Sequence, residues 1–331
     1  MIQRVPRRVG TERGIALLSA LLTVALLTVI VIEMTDATLV HSHLTRNAGN
    51  AMAAQLLARS AAIAGEALVG NKDANPPDRT CDKNLWATPF FLPAGAGTVA
   101  LQISDEGGKL DLNGVLNPAY RKIVETLFDD LGLGAGLVSG IAAWITPSGD
   151  GAMATGPATD YCALSMPCAP RQQPLNSLEE LRLIRGFSEQ TIARLRPYAT
   201  VIPPVDAKAA KAAKTTPLQV NVLTAKLPVL KALGCDGSEP VPDCSASSTG
   251  TGDAKGKDSW GTTYSEWQKT NCKDVKQFLG TQSSLFLIDA HGVVGDMEQG
   301  LRVLVQRTDN KVRRLSWQER PVTDVLPTEV R

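Results

Sequence analysis

Between Gly14 and Glu33 the chain runs through Ile15 to Ile32 without a charged side chain. At 1.5 Å of rise per residue, about 20 helical residues cross the roughly 30 Å hydrocarbon core of a bilayer. With Glu33 at the far interface, this run is long enough to span. Arg4, Arg7, Arg8 and Arg13 all precede it. Cations flanking a span stay on the cytoplasmic side, so the amino terminus is expected inside and the rest of the chain outside.

A secretory signal peptide would have an apolar region of about 7 to 15 residues followed by a small-x-small cleavage site. Here the run is longer, and Glu33 to His43 contain no clear site of that kind. The natural break lies before the run, at Arg13-Gly14/Ile15. That arrangement resembles a type IV prepilin leader, which a prepilin peptidase cuts after the glycine, leaving the apolar helix in the mature protein. An ordinary uncleaved anchor is the competing reading.

The 331 residues are enough for one or two domains with a real core beyond the anchor. A net charge of +1 gives no electrostatic case for nucleic acid as the main partner. Cys81, Cys162, Cys168, Cys235, Cys244 and Cys272 all follow the span, and an even count on the oxidising side favours disulfides. The short loop carrying Pro167 makes Cys162 with Cys168 the first pair expected, and two of Cys235, Cys244 and Cys272 are expected to pair. Zinc ranks lower, because no Cys-x-x-Cys spacing occurs.

No proline interrupts the chain between Pro6 and Pro76. Val40, Leu44, Ala48, Met52, Leu56, Ile63 and Ala67 recur at three-to-four spacing, predicting one long helix whose second half packs this stripe on a soluble domain. Ala48, Ala51, Ala54, Ala58, Ala61 and Ala62 would permit close approach by another helix. Val99 to Ser104 alternates as a strand does. Helical segments then follow over Pro118–Leu131, Leu137–Trp144, Ser177–Ile184, Glu189–Tyr198 and Leu223–Leu233. Ser177 with Glu180 fits a capping box, and Ser188 fits an N-cap. Residues 207–214 read as a Lys/Ala linker or short helix, and 245–258 as a surface loop. At the end, Leu285–Ile288 and Leu301–Gln306 read as an antiparallel pair with a turn near Asp289 to Gly292; Arg313–Trp317 would add a strand. Strands on both sides of a helical block predict an α+β domain with a helical insertion.

The motifs follow one another as Asp105-Glu-Gly-Gly-Lys-Leu-Asp-Leu-Asn113, Ile141-Ala-Ala-Trp-Ile145, Gly156-Pro-Ala-Thr-Asp-Tyr161, Pro174-Leu-Asn-Ser-Leu-Glu-Glu-Leu181, Ile184-Arg-Gly186 and Leu218-Gln-Val-Asn-Val-Leu-Thr-Ala225. This order resembles the minor pseudopilin K family (GspK) of the type II secretion system over nearly the whole chain. Thr146 and Thr159 stand where the family pattern has carboxylates, and Val222 and Leu223 split its Asn-Thr pair. The resemblance implies a pilin-like fold: a long N-terminal helix on a small antiparallel sheet, with an inserted all-helical, SAM-like domain. The expected layout is a leader at 1–14, a transmembrane helix at 15–34, and the rest of that helix with the first part of the pilin-like α/β domain at 35–105. The insert then occupies 106–232, a cysteine-containing loop-rich segment 233–274, the closing strands 275–320, and a tail 321–331.

The resemblance also carries a function: a subunit with no catalysis of its own, at the tip of a short periplasmic filament that it helps to start. Its expected partners are minor pseudopilins I and J, other pseudopilins and inner-membrane secretion components, the prepilin peptidase, and secreted substrates. Cleavage at Gly14/Ile15 would be followed by methylation of Ile15. Most pilin-like subunits carry glutamate at the fifth mature position, understood to pair with a neighbour's terminal ammonium; here that position is Ser19. A serine in a spanning helix is also commonplace, its hydroxyl bonded to a backbone carbonyl.

Three other readings rank lower. Leu181 to Ser188 resembles a helix-hairpin-helix turn, but Ser188 replaces the second glycine that meets phosphate. His41, His43 and His291 match no catalytic motif, and no Gly-x-Ser-x-Gly, His-Glu-x-x-His or phosphate loop occurs. Calcium stays open: the resemblance allows it, and carboxylates gather at Asp105, Glu106 and Asp111, at Asp150 and Asp160, and at Asp236, Asp243 and Asp253. The runner-up function is a single-pass periplasmic binding protein on an uncleaved anchor.

Overall fold

The computed structural model describes residues 12–76, 79–146, 172–204, 219–235, 240–244, 259–272, 275–308 and 311–320. The expected Cys162–Cys168 pair, the 207–214 stretch, the 245–258 loop and the 321–331 tail lie outside them.

A single helix, α1, runs from Glu12 to Gly70 over 59 residues, about 90 Å at the standard rise. It ends where Asn71 turns the chain, its side-chain oxygen accepting from the amides of Asp73 (2.8 Å) and Ala74 (3.1 Å). Five antiparallel strands form one sheet in the order β1-β2-β7-β8-β9: β1 Phe90–Ala94, β2 Gly97–Asp105, β7 Leu285–Val294, β8 Met297–Thr308 and β9 Lys311–Arg320. β2 pairs β7 through Ile103 and Ile288, so the two ends of the soluble region close on each other around the block between them.

The hairpin between β7 and β8 corrects the sequence reading. β7 passes straight through Asp289 to Gly292, and the turn falls at Gly295-Asp296, where Gly295 has φ +58°. Gly292 is needed for packing: a Cβ there would lie 2.1 Å from the Ala54 carbonyl oxygen and 2.8 Å from the Ala58 nitrogen.

The block between the sheet halves is mostly helical, with α2 at Pro118–Asp130 and α3 at Gly136–Ile145. Asn117 caps α2 by accepting from the amides of Ala119 and Tyr120, and Pro118 sits in the first turn, where its missing N–H is no loss. Ser188 caps the helix Glu189–Leu195 through the Thr191 amide at 3.1 Å. Ser177 makes no side-chain cap, another correction. Residues Leu178–Leu183 form a 3-10 turn, and the Glu180 amide that the hydroxyl would have capped bonds the Ser177 carbonyl (3.3 Å). The last expected helix is shorter than its pattern, Leu227–Ala232. Short parallel ladders, β3 (Leu110–Asp111) with β4 (Ala199–Thr200) and β5 (Val220–Asn221) with β6 (Leu279–Gly280), stitch the block together.

Two apolar cores result. One fills the helical block around Tyr120, Phe128, Ile141 and Leu181, and also takes in Trp267 and Phe278 from the later segment. The other lies between α1 and the sheet around Ala58, Trp86, Phe286 and Ile288. Disulfides join Cys81 to Cys244 and Cys235 to Cys272.

Candidate functional site

Among the described residues nothing packs on the first half of α1: Ile15, Leu18, Leu22 and Leu26 are all more than half exposed. Its hydroxyls are closed inward. Ser19 Oγ donates to the Ala16 carbonyl (2.9 Å), Thr23 to Ser19 (2.8 Å) and Thr28 to Val24 (2.7 Å). An apolar cylinder whose polar groups are satisfied within the helix is what a bilayer interior tolerates, so the segment is compatible with a single-pass anchor. Gly14 lies in the first turn of the helix and Ile15 directly follows it. Ser19 places an uncharged, internally bonded group at the position discussed above.

The second half of α1 reverses the expected orientation. Ala54, Ala58, Ala61, Ala62 and Val69 are the buried face, lying on β7 and β8. Val40, Leu44, Met52, Leu56 and Ile63, the stripe expected to pack, are 55–67 % exposed. The cause is steric. At Gly292 the sheet comes so close to the backbone of Ala54 and Ala58 that small helix residues face it there. Polar residues on the flank clasp β9: Gln55 and Arg59 donate to Glu319 (2.9 and 3.1 Å), and Glu66 pairs with Arg314. Met52, Leu56 and Ile63 therefore face away from the domain, while Leu57, Leu68 and Val69 turn toward it.

A buried polar node sits where α1, the sheet and the helical block meet. Asp105, at the end of β2, accepts from Thr224 Oγ1 (2.6 Å), Asn221 Nδ2 (2.8 Å) and the Gly107 amide (2.7 Å). Burial pushes its carboxyl above the usual range, while hydrogen bonds from Ser283, Thr224, Asn221 and Gly107 pull it back. Asn221 also donates to the Thr80 carbonyl (3.0 Å). Nearby, Arg307 donates to the carbonyls of Asn75 (2.7 Å), Val69 and Ser283. Sequence reasoning missed this node, although the split pair Asn221 and Thr224 was its signal: a turn through Val222 and Leu223 brings both onto one carboxylate oxygen.

The remaining expected residues do not converge. Glu106 pairs with Lys109, Asp111 accepts from the amides of Asn113 and Ile202, and Asp243 pairs with Lys83 at 2.7 Å. Each of these described carboxylates answers to its own donors or cation, and they form no shared oxygen cluster of the kind calcium takes. Asp150, Asp160, Asp236 and Asp253 lie outside the described residues. Cys81, Asp82 and Cys244 come within ligand distance of one another, but the two sulfurs are bonded together. His41 and His43 lie exposed on α1, and His43 Nδ1 meets Arg46 at 3.0 Å. His291 is buried in mid-strand, 3.8 Å from Glu298; burial lowers its pKa, with Asp289 opposing and Arg302 assisting. The Leu181–Ser188 turn tucks Leu181 and Ile184 into the helical core.

Comparison with known proteins agrees with this architecture. Residues 108–204 match the family described as Type II secretion system (T2SS), protein K. Type II secretion system protein K of Pectobacterium carotovorum subsp. carotovorum is 28% identical over 242 residues, covering 64% of this chain and 67% of that protein. The protein of the same name from Pseudomonas aeruginosa is 26% identical over 250 residues, covering 67% and 68%. Among solved structures, a chain of the GspK-GspI-GspJ complex from enterotoxigenic Escherichia coli superimposes with a TM-score of 0.63. At 19% identity, that match covers 84% of this chain and 99% of the other, and it supports the fold. The chain is thus similar to type II secretion system protein K, by the family match over residues 108–204 and by two relatives of that name, and it shares its fold with the solved neighbour.

Proposed function

We propose that the chain is a K-type minor pseudopilin of a type II secretion system. In this reading it crosses the inner membrane once, with its amino terminus cytoplasmic and its bulk periplasmic. It has no chemistry of its own. A prepilin peptidase cuts between Gly14 and Ile15 and methylates the new terminus. The subunit then seats at the tip of a short periplasmic filament and starts its assembly. Minor pseudopilins I and J are its nearest partners, by analogy with the complex in which the structural neighbour was solved. Other pseudopilins, inner-membrane components and secreted substrates are its wider contacts.

One observation carries the tip assignment. Ser19 turns its hydroxyl to the Ala16 carbonyl and offers no anion to a terminal ammonium. An ammonium within a bilayer is costly unless paired, so no subunit can stack above this one on that contact. The exposed stripe from Val40 to Ile63 supports side-by-side helix association instead.

Intact-mass analysis of the membrane-purified protein tests the anchor: a chain starting at N-methylated Ile15 is expected, and one starting at Met1 overturns the reading. Gold labelling of assembled filaments tests the location. Label at one end is expected; label along the shaft would remove the tip role.

A further inference from the structure

The two edges of the sheet are built differently. β9 carries Lys311, Arg313 and Arg314, and charge of this kind guards a free edge against other chains. β1, at the other edge, lies in a stretch from Asn84 to Ser104 that contains no charged residue, and its Phe91 and Leu92 are 51% and 59% exposed. Side chains alternate along the strand, so Phe90 and Leu92, opposite Leu101 and Val99, share the face toward α1. β1 overhangs the flank of α1 and leaves a groove of about 410 Å³, walled by Phe90, Leu92 and Val99 above and Ala61, Ala64 and Leu68 below. A dry cavity of roughly 150 Å³ already holds benzene, so the groove has room for more than one aliphatic side chain.

We propose that this groove receives an uncharged, aliphatic segment of a neighbouring pilin-like subunit, an inference that rests on the pseudopilin reading above. Two features fix the occupant. The helix wall of the groove is the next face round from the exposed apolar stripe at Met52, Leu56 and Ile63, so a subunit whose helix lies on that stripe reaches the groove without leaving the surface. The lining is also apolar apart from Asn71, whose carbonyl oxygen is already engaged with two backbone amides. A charged side chain entering here would lose water and find no opposite charge in the lining. Pro93 lacks an N–H, which limits main-chain pairing along β1. Side-chain burial in the groove, rather than strand addition, supplies the contact.

The test is site-specific photocrosslinking in the full-length protein, in membranes that contain its pseudopilins, with the probe at Leu92, at Met52 and at Arg313 on the guarded edge. Leu92 and Met52 are expected to trap the same subunit and Arg313 none. Leu92→Glu should weaken that association roughly tenfold or more, with an unchanged melting temperature because the side chain is exposed. If Met52 traps a pseudopilin while Leu92 traps nothing, or only a second copy of this chain, the groove inference falls and the pseudopilin reading stands. If neither position traps a pseudopilin, both fall.

Discussion

Thr224 donates its hydroxyl to Asp105 Oδ2 at 2.6 Å across 119 residues of chain. With Asn221 on the same oxygen, this contact ties the helical block to the end of β2. Thr224→Val should remove one bond and cost about 1–2 kcal/mol; Asp105→Leu strands several buried donors and should cost about 3–5 kcal/mol. Urea unfolding of both variants measures this. Equal losses for the two would mean that Asp105 does not gather the node.

Gly292 sets the distance between sheet and helix. Because a Cβ would meet the backbone of Ala54 and Ala58, no rotamer relieves it. Gly292→Ala should cost about 1–3 kcal/mol or more. Gly49→Ala is the control: nothing lies within 4 Å of its added carbon, and alanine should gain up to about 1 kcal/mol in the helix. Thermal melts of the two should move in opposite directions.

These residues show how far the sequence could be read. The long apolar helix, the antiparallel pair of β7 and β8 and the strands on both sides of a helical block were legible because each depends on a local pattern of charge, proline or alternation. The orientation of α1 was not. Period 3.6 revealed a stripe of large apolar residues, but the face that packs is the one meeting Gly292, more than 200 residues away. The same glycine was read as a turn, because sequence does not distinguish a glycine that bends the chain from one that admits a neighbour. At the node, the Asn221–Thr224 spacing was visible, but its acceptor lay in another motif.

Asp111 offers a pH-dependent signature. Burial raises its pKa to about 7, with the amides of Asn113 and Ile202 opposing the shift. A carboxyl that holds its proton more tightly when folded stabilises most at low pH. Its contribution therefore falls as pH rises from about 4 to about 7, and the deficit is constant above. Asp111→Asn keeps an acceptor for the two amides without a buried charge. At pH 8 it should gain about 2–4 kcal/mol over the parent, a gain that shrinks by pH 5. Melting curves at the two pH values check this; a gap independent of pH would show that ionisation of Asp111 is not the cause.

The disulfide between Cys81 and Cys244 closes 163 residues of sequence and stands beside the Lys83–Asp243 pair. Replacing both cysteines by serine should cost about 2–5 kcal/mol. Added reductant should then lower the melting temperature of the parent more than that of the double variant, which keeps Cys235–Cys272.

The two faces of α1 make the sharpest contrast. Met52 and Ile63 are 67% and 55% exposed, whereas Ala58 is 2% exposed against β7 and β8. Exposed substitutions fall within about 0.5 kcal/mol of neutral, while a carboxylate forced into a close-packed apolar layer costs several kcal/mol. Met52→Glu with Ile63→Glu should therefore leave the urea midpoint unchanged, although it charges the stripe whose period looked most like a buried face. Ala58→Glu, a change at one of the smallest side chains in the helix, should pry α1 from the sheet. In the pseudopilin reading the first variant stays folded but no longer co-purifies with partner subunits, and the second is lost to unfolding. Finding instead that the double Glu variant melts early would mean that the helix packs in the opposite rotation.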